Sequence, residues 1–102
     1  MDHRNEISEK LHTLPVNDEI HFQPPEDVKL VYPCIIYSFD GFRTFHGNDG
    51  KYLLREEYTV THIYQDPIEE LHSTILSLFN YVSYDRGYIA DNLYHDVYSV
   101  FA

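Results

Sequence analysis

The chain has 102 residues, 43% of them hydrophobic and 16% aromatic, with 7 Lys and Arg against 17 Asp and Glu and a formal net charge of −10. That length fits one domain, residues 1–102, whose core is thin enough that further burial would have to come from a partner. The acidic balance and the absence of any basic run disfavour duplex binding by counterion replacement and, for the same reason, an anionic membrane surface.

Asn5 to Leu14 reads as a short amphipathic helix, with Ile7, Leu11 and Leu14 on one face and Pro15 as the stop. Asp18 to Phe22 reads as a brief strand or extended arm, and Gln23-Pro24-Pro25-Glu26-Asp27 as a loop, because two prolines supply no ladder donors. Val31 to Phe39 is rich in β-formers and ends at Asp40-Gly41, which predicts a hairpin turn. Arg43 to His46 would run back to a second turn at Gly47-Asn48-Asp49-Gly50, followed by a strand within Lys51 to Gln65. Its portion from Glu57 to Tyr64 alternates with period two, the firmest strand pattern in the chain.

Asp66 suits a helix N-cap and Pro67 the first helical position, with Glu69 and Glu70 in the first turn. Ile68, Leu71, Ile75, Leu78 and Phe79 then fall on one helical face. Tyr81 to Ala102 reads as two β segments around a turn at Asp85-Arg86-Gly87, the second being Leu93 to Phe101. The order predicts an α+β domain, a mainly antiparallel sheet with two helices packed against it.

Leu30 to Phe39, the longest apolar stretch, is about half the roughly 20 residues of a spanning helix. No apolar segment follows Met-Asp-His-Arg-Asn-Glu, so no signal peptide is expected. Cys34 is the single cysteine and stands in an apolar run, which predicts a buried thiol in a protein kept in a reducing cytosol. The seven histidines lack metal-ligand spacing, and no nucleophile elbow, P-loop or dinucleotide fingerprint occurs, so neither metal, cofactor nor catalytic residue is expected. Ten Tyr and six Phe with no Trp point instead to strand surface that is wet in one state and covered in another.

Three segments together carry a resemblance: Val31 to Tyr37; Lys51 to Leu54 with Glu57 to Pro67; and Tyr84 to Asp96. In order and spacing they resemble the small tail terminator, or tail completion, proteins of long-tailed bacteriophages, over Val31 to Phe101. The resemblance implies a virion protein that forms a ring, usually a hexamer, capping the tail tube and ending its polymerisation. It implies as partners further copies of the chain, the tail tube protein and the head-tail connector, with DNA passing through the lumen unbound.

On that reading Asp40, Asp49, Glu56 and Glu57 are expected to face the lumen. Arg43, Phe45, Arg55, Asp85, Arg86, Tyr88 and Asp91 are expected at subunit contacts, where charge pairing sets register. The alternatives are a head-completion or connector protein of the neck, and an acidic inhibitor that mimics nucleic acid, although the acids are scattered. An isolated globule with a buried, convergent set of titratable side chains, or with a bound ion or nucleotide, would overturn assembly as the function.

Overall fold

The structure is a computed structural model that describes residues 3–47, 50 and 52–102. In chain order it comprises helix α1 (Arg4–Leu11), strand β1 (Ile20–Phe22), β2 (Cys34–His46), β3 (Tyr52–Tyr64), a 3-10 turn (Pro67–Glu69), helix α2 (His72–Leu78), β4 (Val82–Ala90) and β5 (Leu93–Phe101). The strands form one sheet in the order β1-β2-β3-β5-β4. β1 runs parallel to β2, and the other three pairings are antiparallel. The expected α+β class holds.

Strand alternation decides which side becomes the core. Ile35 and Tyr37 on β2, Tyr58 and Val60 on β3, and Tyr98 and Val100 on β5 share one face and are all buried. Ile7 and Leu11 of α1, Ile75 of α2 and Phe79 pack onto that face. At eight residues α1 is too short to persist alone, so it is held by the burial of Ile7 and Leu11, each contributing about 1.5–3 kcal/mol. Cys34 is buried as expected, and desolvation followed by the nearby Glu19 charge pushes its thiol up to about 11, which leaves it inert.

Four expectations need correction. α1 ends at Leu11 rather than Leu14, because Pro15 disfavours helical geometry in the residue before it. Leu14 is nevertheless buried, carried into the core with Val16 by the turn that follows the helix. Asp40-Gly41 is not a hairpin turn. β2 continues through it, with a register shift between Phe39 and Gly41, and the positive φ of Gly41 (122°) serves a β-bulge.

The helix expected from Asp66 is broken by Glu70, whose φ of −58° and ψ of 139° are extended. A capping box closes the 3-10 turn: the Ile68 amide donates to Asp66 (3.1 Å) and the Asp66 amide to Glu69 (3.1 Å). The phase slips at the break, so Ile68 leaves the core face and stands 86% exposed while Ile75 stays in the core. In the last segment, Asp85-Arg86-Gly87 lies within β4 as a second bulge, between Tyr84 and Arg86. The reversal occurs at Asp91-Asn92, with φ of 54° and 62°, a two-residue turn of the kind whose twist matches the flanking strands.

Candidate functional site

β3 is 13 residues long, about 40 Å at strand rise, and the molecule measures 48 × 25 × 23 Å. That elongation has one source. β1 borders β2 only at Ile35–Tyr37, and β5 borders β3 only from Glu57 onward, with two further backbone bonds between Glu56 and Ala102. Beyond those limits Arg43–His46 pair with Tyr52–Arg55 alone, and the two strands project as an arm. An isolated two-stranded ribbon is marginally stable in water.

The arm carries apolar side chains on both faces. Phe42 (60% exposed), Leu54 (62%) and Tyr52 (70%) share one face, while Leu53 and Phe45 lie on the other. Phe42 meets Phe39 edge-on at 5.5 Å and Phe45 meets Phe101 at 5.6 Å, so the base of the arm is anchored to the sheet. Outward from that base nothing among the described residues covers it. The run Tyr52-Leu53-Leu54 was legible as a warning, since three consecutive apolar residues in a strand cannot all face one core.

The expected contact residues divide between two places, the arm base on β2 and β3 and the β4 edge with its turn. Arg43, Phe45 and Arg55 converge at the arm base. Arg43 pairs with Glu57 (3.2 Å) and lies 4.9 Å over the Phe101 ring, while Arg55 lies 3.9 Å over Tyr81. Asp85, Arg86, Tyr88 and Asp91 belong to β4 and its turn, separated from β2 by β3 and β5. Asp85 accepts from the Ser99 (2.5 Å) and Ser83 (3.1 Å) hydroxyls, Tyr88 stacks on His95 at 4.6 Å with Arg86 over its ring, and Asp91 is exposed at the turn.

The residues expected at the lumen do not form one acidic surface. Asp40 is exposed at the bulge, accepting from the Thr59 hydroxyl, and Glu57 is half-buried against Arg43. Glu56 corrects the expectation. It is only 5% exposed and accepts from the Tyr58 hydroxyl (2.5 Å) and the His3 amide (3.2 Å), because strand alternation turns it onto the core face. Asp49 lies outside the described residues. A cleft of about 210 Å³ beside the arm base is lined by His3, Glu6, Lys10, Arg55 and Tyr81, among others.

A second grouping was not visible in the sequence. Asp96 is buried and accepts from the hydroxyls of Tyr64 (2.6 Å) and Tyr84 (3.3 Å). His72, at the start of α2, places Nε2 3.6 Å from Asp96 and Nδ1 2.8 Å from the Tyr98 hydroxyl. His62 is fully buried between these strands, stacked on Tyr64 at 4.5 Å, and neither ring nitrogen has a hydrogen-bond partner. Desolvation lowers its pKa to about 4, against the smaller opposing pull of Asp96. Desolvation first, then Asp96, pushes the Tyr64, Tyr84 and Tyr98 hydroxyls up, so they stay protonated donors.

This is the convergent titratable set that would weigh against an assembly function, so its geometry matters. Both Asp96 oxygens accept hydrogen bonds from within the fold, and the ring packing of His72, Tyr84 and Tyr98 closes over it. None of these side chains lines the cleft at the arm base. Asp96, the tyrosine hydroxyls and His72 are bonded to one another within the core and face no open cleft, while the two buried His62 ring nitrogens stay without partners. Among the described residues no group of three His, Cys, Asp or Glu is arranged to hold a metal ion, and no helix is long and apolar enough to cross a membrane. No protein family, curated protein or solved structure matches the chain.

Proposed function

We propose that this chain is a structural subunit of a ring, assembled from copies of itself, that caps a phage tail tube and joins it to the head. The projecting arm carries the reading. A two-stranded ribbon with Phe42, Tyr52, Leu53 and Leu54 exposed loses free energy to water at each apolar side chain, and a neighbouring subunit would recover it. The open edge of β4, with Tyr84, Tyr88 and Ile89 exposed, offers further strand surface of the same kind. The likeness of Val31 to Phe101 to tail terminators supplies the setting: a virion neck, with tail tube protein on one side, connector on the other and DNA through the centre.

Among the described residues of the expected four, Asp40 is the acidic side chain that remains both exposed and without a cation, so it is assigned to the lumen. Electron microscopy of particles assembled without this chain tests the function. Overlong or headless tails are the expected result. Filled heads leaking DNA would move the protein to head closure, and normal particles would remove it from the virion joint altogether.

A further inference from the structure

We infer that the arm of one copy docks against the opposite end of the sheet in the next copy, a head-to-tail contact set by charge. Among the described residues of segment 41–55 the strongly charged side chains are Arg43 and Arg55, a charge of +2. The other 87 residues hold 4 Lys and Arg and 16 Asp and Glu, a net charge of −12. Two of the seven Lys and Arg of an acidic protein, Arg43 and Arg55, therefore sit at the base of its most exposed apolar element, Arg43 beside Glu57 and Arg55 over Tyr81.

The far end of the sheet has the complementary character. Tyr64 pairs with Tyr94, and Tyr94 with Ile89, so the end of β3, the 3-10 turn after it and the β4–β5 turn lie at the same pole. That pole carries Asp66, Glu69, Glu70 and Asp91, together with the two most exposed aliphatic side chains of the body, Ile68 (86%) and Ile89 (67%). An apolar cationic surface at one end and an apolar acidic surface at the other fit each other and not themselves. Like ends repel, so face-to-face pairing is disfavoured. A contact joining unlike patches is heterologous, and it closes into a ring when its rotation divides the circle. The inference rests on the ring reading above, to which it adds the surfaces that touch.

The test is a charge swap in the full-length chain, read by light scattering over a range of concentrations, with circular dichroism as the check on folding. Arg43→Glu with Arg55→Glu reverses the arm; Glu69→Lys with Glu70→Lys reverses the acidic pole. Each variant alone should weaken self-association about tenfold or more, and an equimolar mixture should recover it, because each altered surface then finds its complement on the other variant. Leu54→Ser and Ile68→Ser probe the same two surfaces at exposed positions that folding does not need, and each should also weaken association.

Association unchanged in the single variants, or absent in the mixture of two folded ones, would overturn the contact while leaving the ring to be built through another surface. Wild-type chain that stays monomeric and binds only tube protein would overturn it too, assigning the arm to the tube. The tail-capping ring reading itself falls on particles made without the chain, whether they are normal or are filled heads that leak DNA.

Discussion

His62 shows what one residue costs inside this core. The unfolded chain takes up a proton on histidine near pH 6.5, whereas the folded chain resists it until about 4 because burial disfavours the charged ring. Between those values the unfolded state binds more protons, so this contribution to stability is complete above pH 6.5 and is lost as the pH falls towards 4. The full loss is about 3 kcal/mol at the conversion of 1.36 kcal/mol per unit. His62→Leu should flatten the fall in urea midpoint between pH 7 and pH 4. Equal slopes in variant and wild type would show that His62 is not the source. Gly87 matters at the same scale and for a different reason. A Cβ there would collide with the Tyr84 hydroxyl and stand 2.9 Å from Asp96 Oδ1. Gly87→Ala should therefore expel Tyr84 from Asp96 and destabilise by about 1–3 kcal/mol in urea titration. A midpoint within error of wild type would mean the tyrosine swings out freely.

At the scale of elements, periodicity located nearly every strand and helix, and the reversal between His46 and Tyr52 falls where a turn was expected, but two other expected turns were misplaced. Asp40-Gly41 and Asp85-Arg86-Gly87 have turn chemistry, and the structure uses both as bulges, because positive φ and small size serve a bulge or a close approach as well as a hairpin. Asp91-Asn92 makes the real turn, through two residues that tolerate the left-handed region without glycine. The core face of β2, β3 and β5 was readable from alternation, and so was the burial of Cys34. The cluster around Asp96 was not, since its members are brought together only by three strands and a helix. The helix expected from Asp66 broke at Glu70, yet its capping signals were real and act on the 3-10 turn. Asp66→Ala removes the acceptor for the Ile68 amide and should cost about 1 kcal/mol in thermal or urea unfolding. No change on substitution would mean that water replaces the cap at this exposed site.

For the whole molecule, stability and assembly reside in different parts of one sheet. Every side chain of the hydrophobic core cluster lies outside Arg43 to Arg55, in the helices, the paired strand segments and the turn after α1. The arm adds length without adding core, so its removal should leave the body folded. Because Arg43 and Arg55 are directly paired, replacing residues 44–54 by Asn-Gly would join them through a two-residue turn without disturbing register. The shortened chain should keep a cooperative urea transition with a midpoint near that of the full chain, and it should remain monomeric where the full chain associates. If it unfolds instead, the arm is part of the folding unit and its exposed aromatics are structural. If it folds and still associates like the parent, the surface that joins copies lies elsewhere, with the open edge of β4 the next place to look.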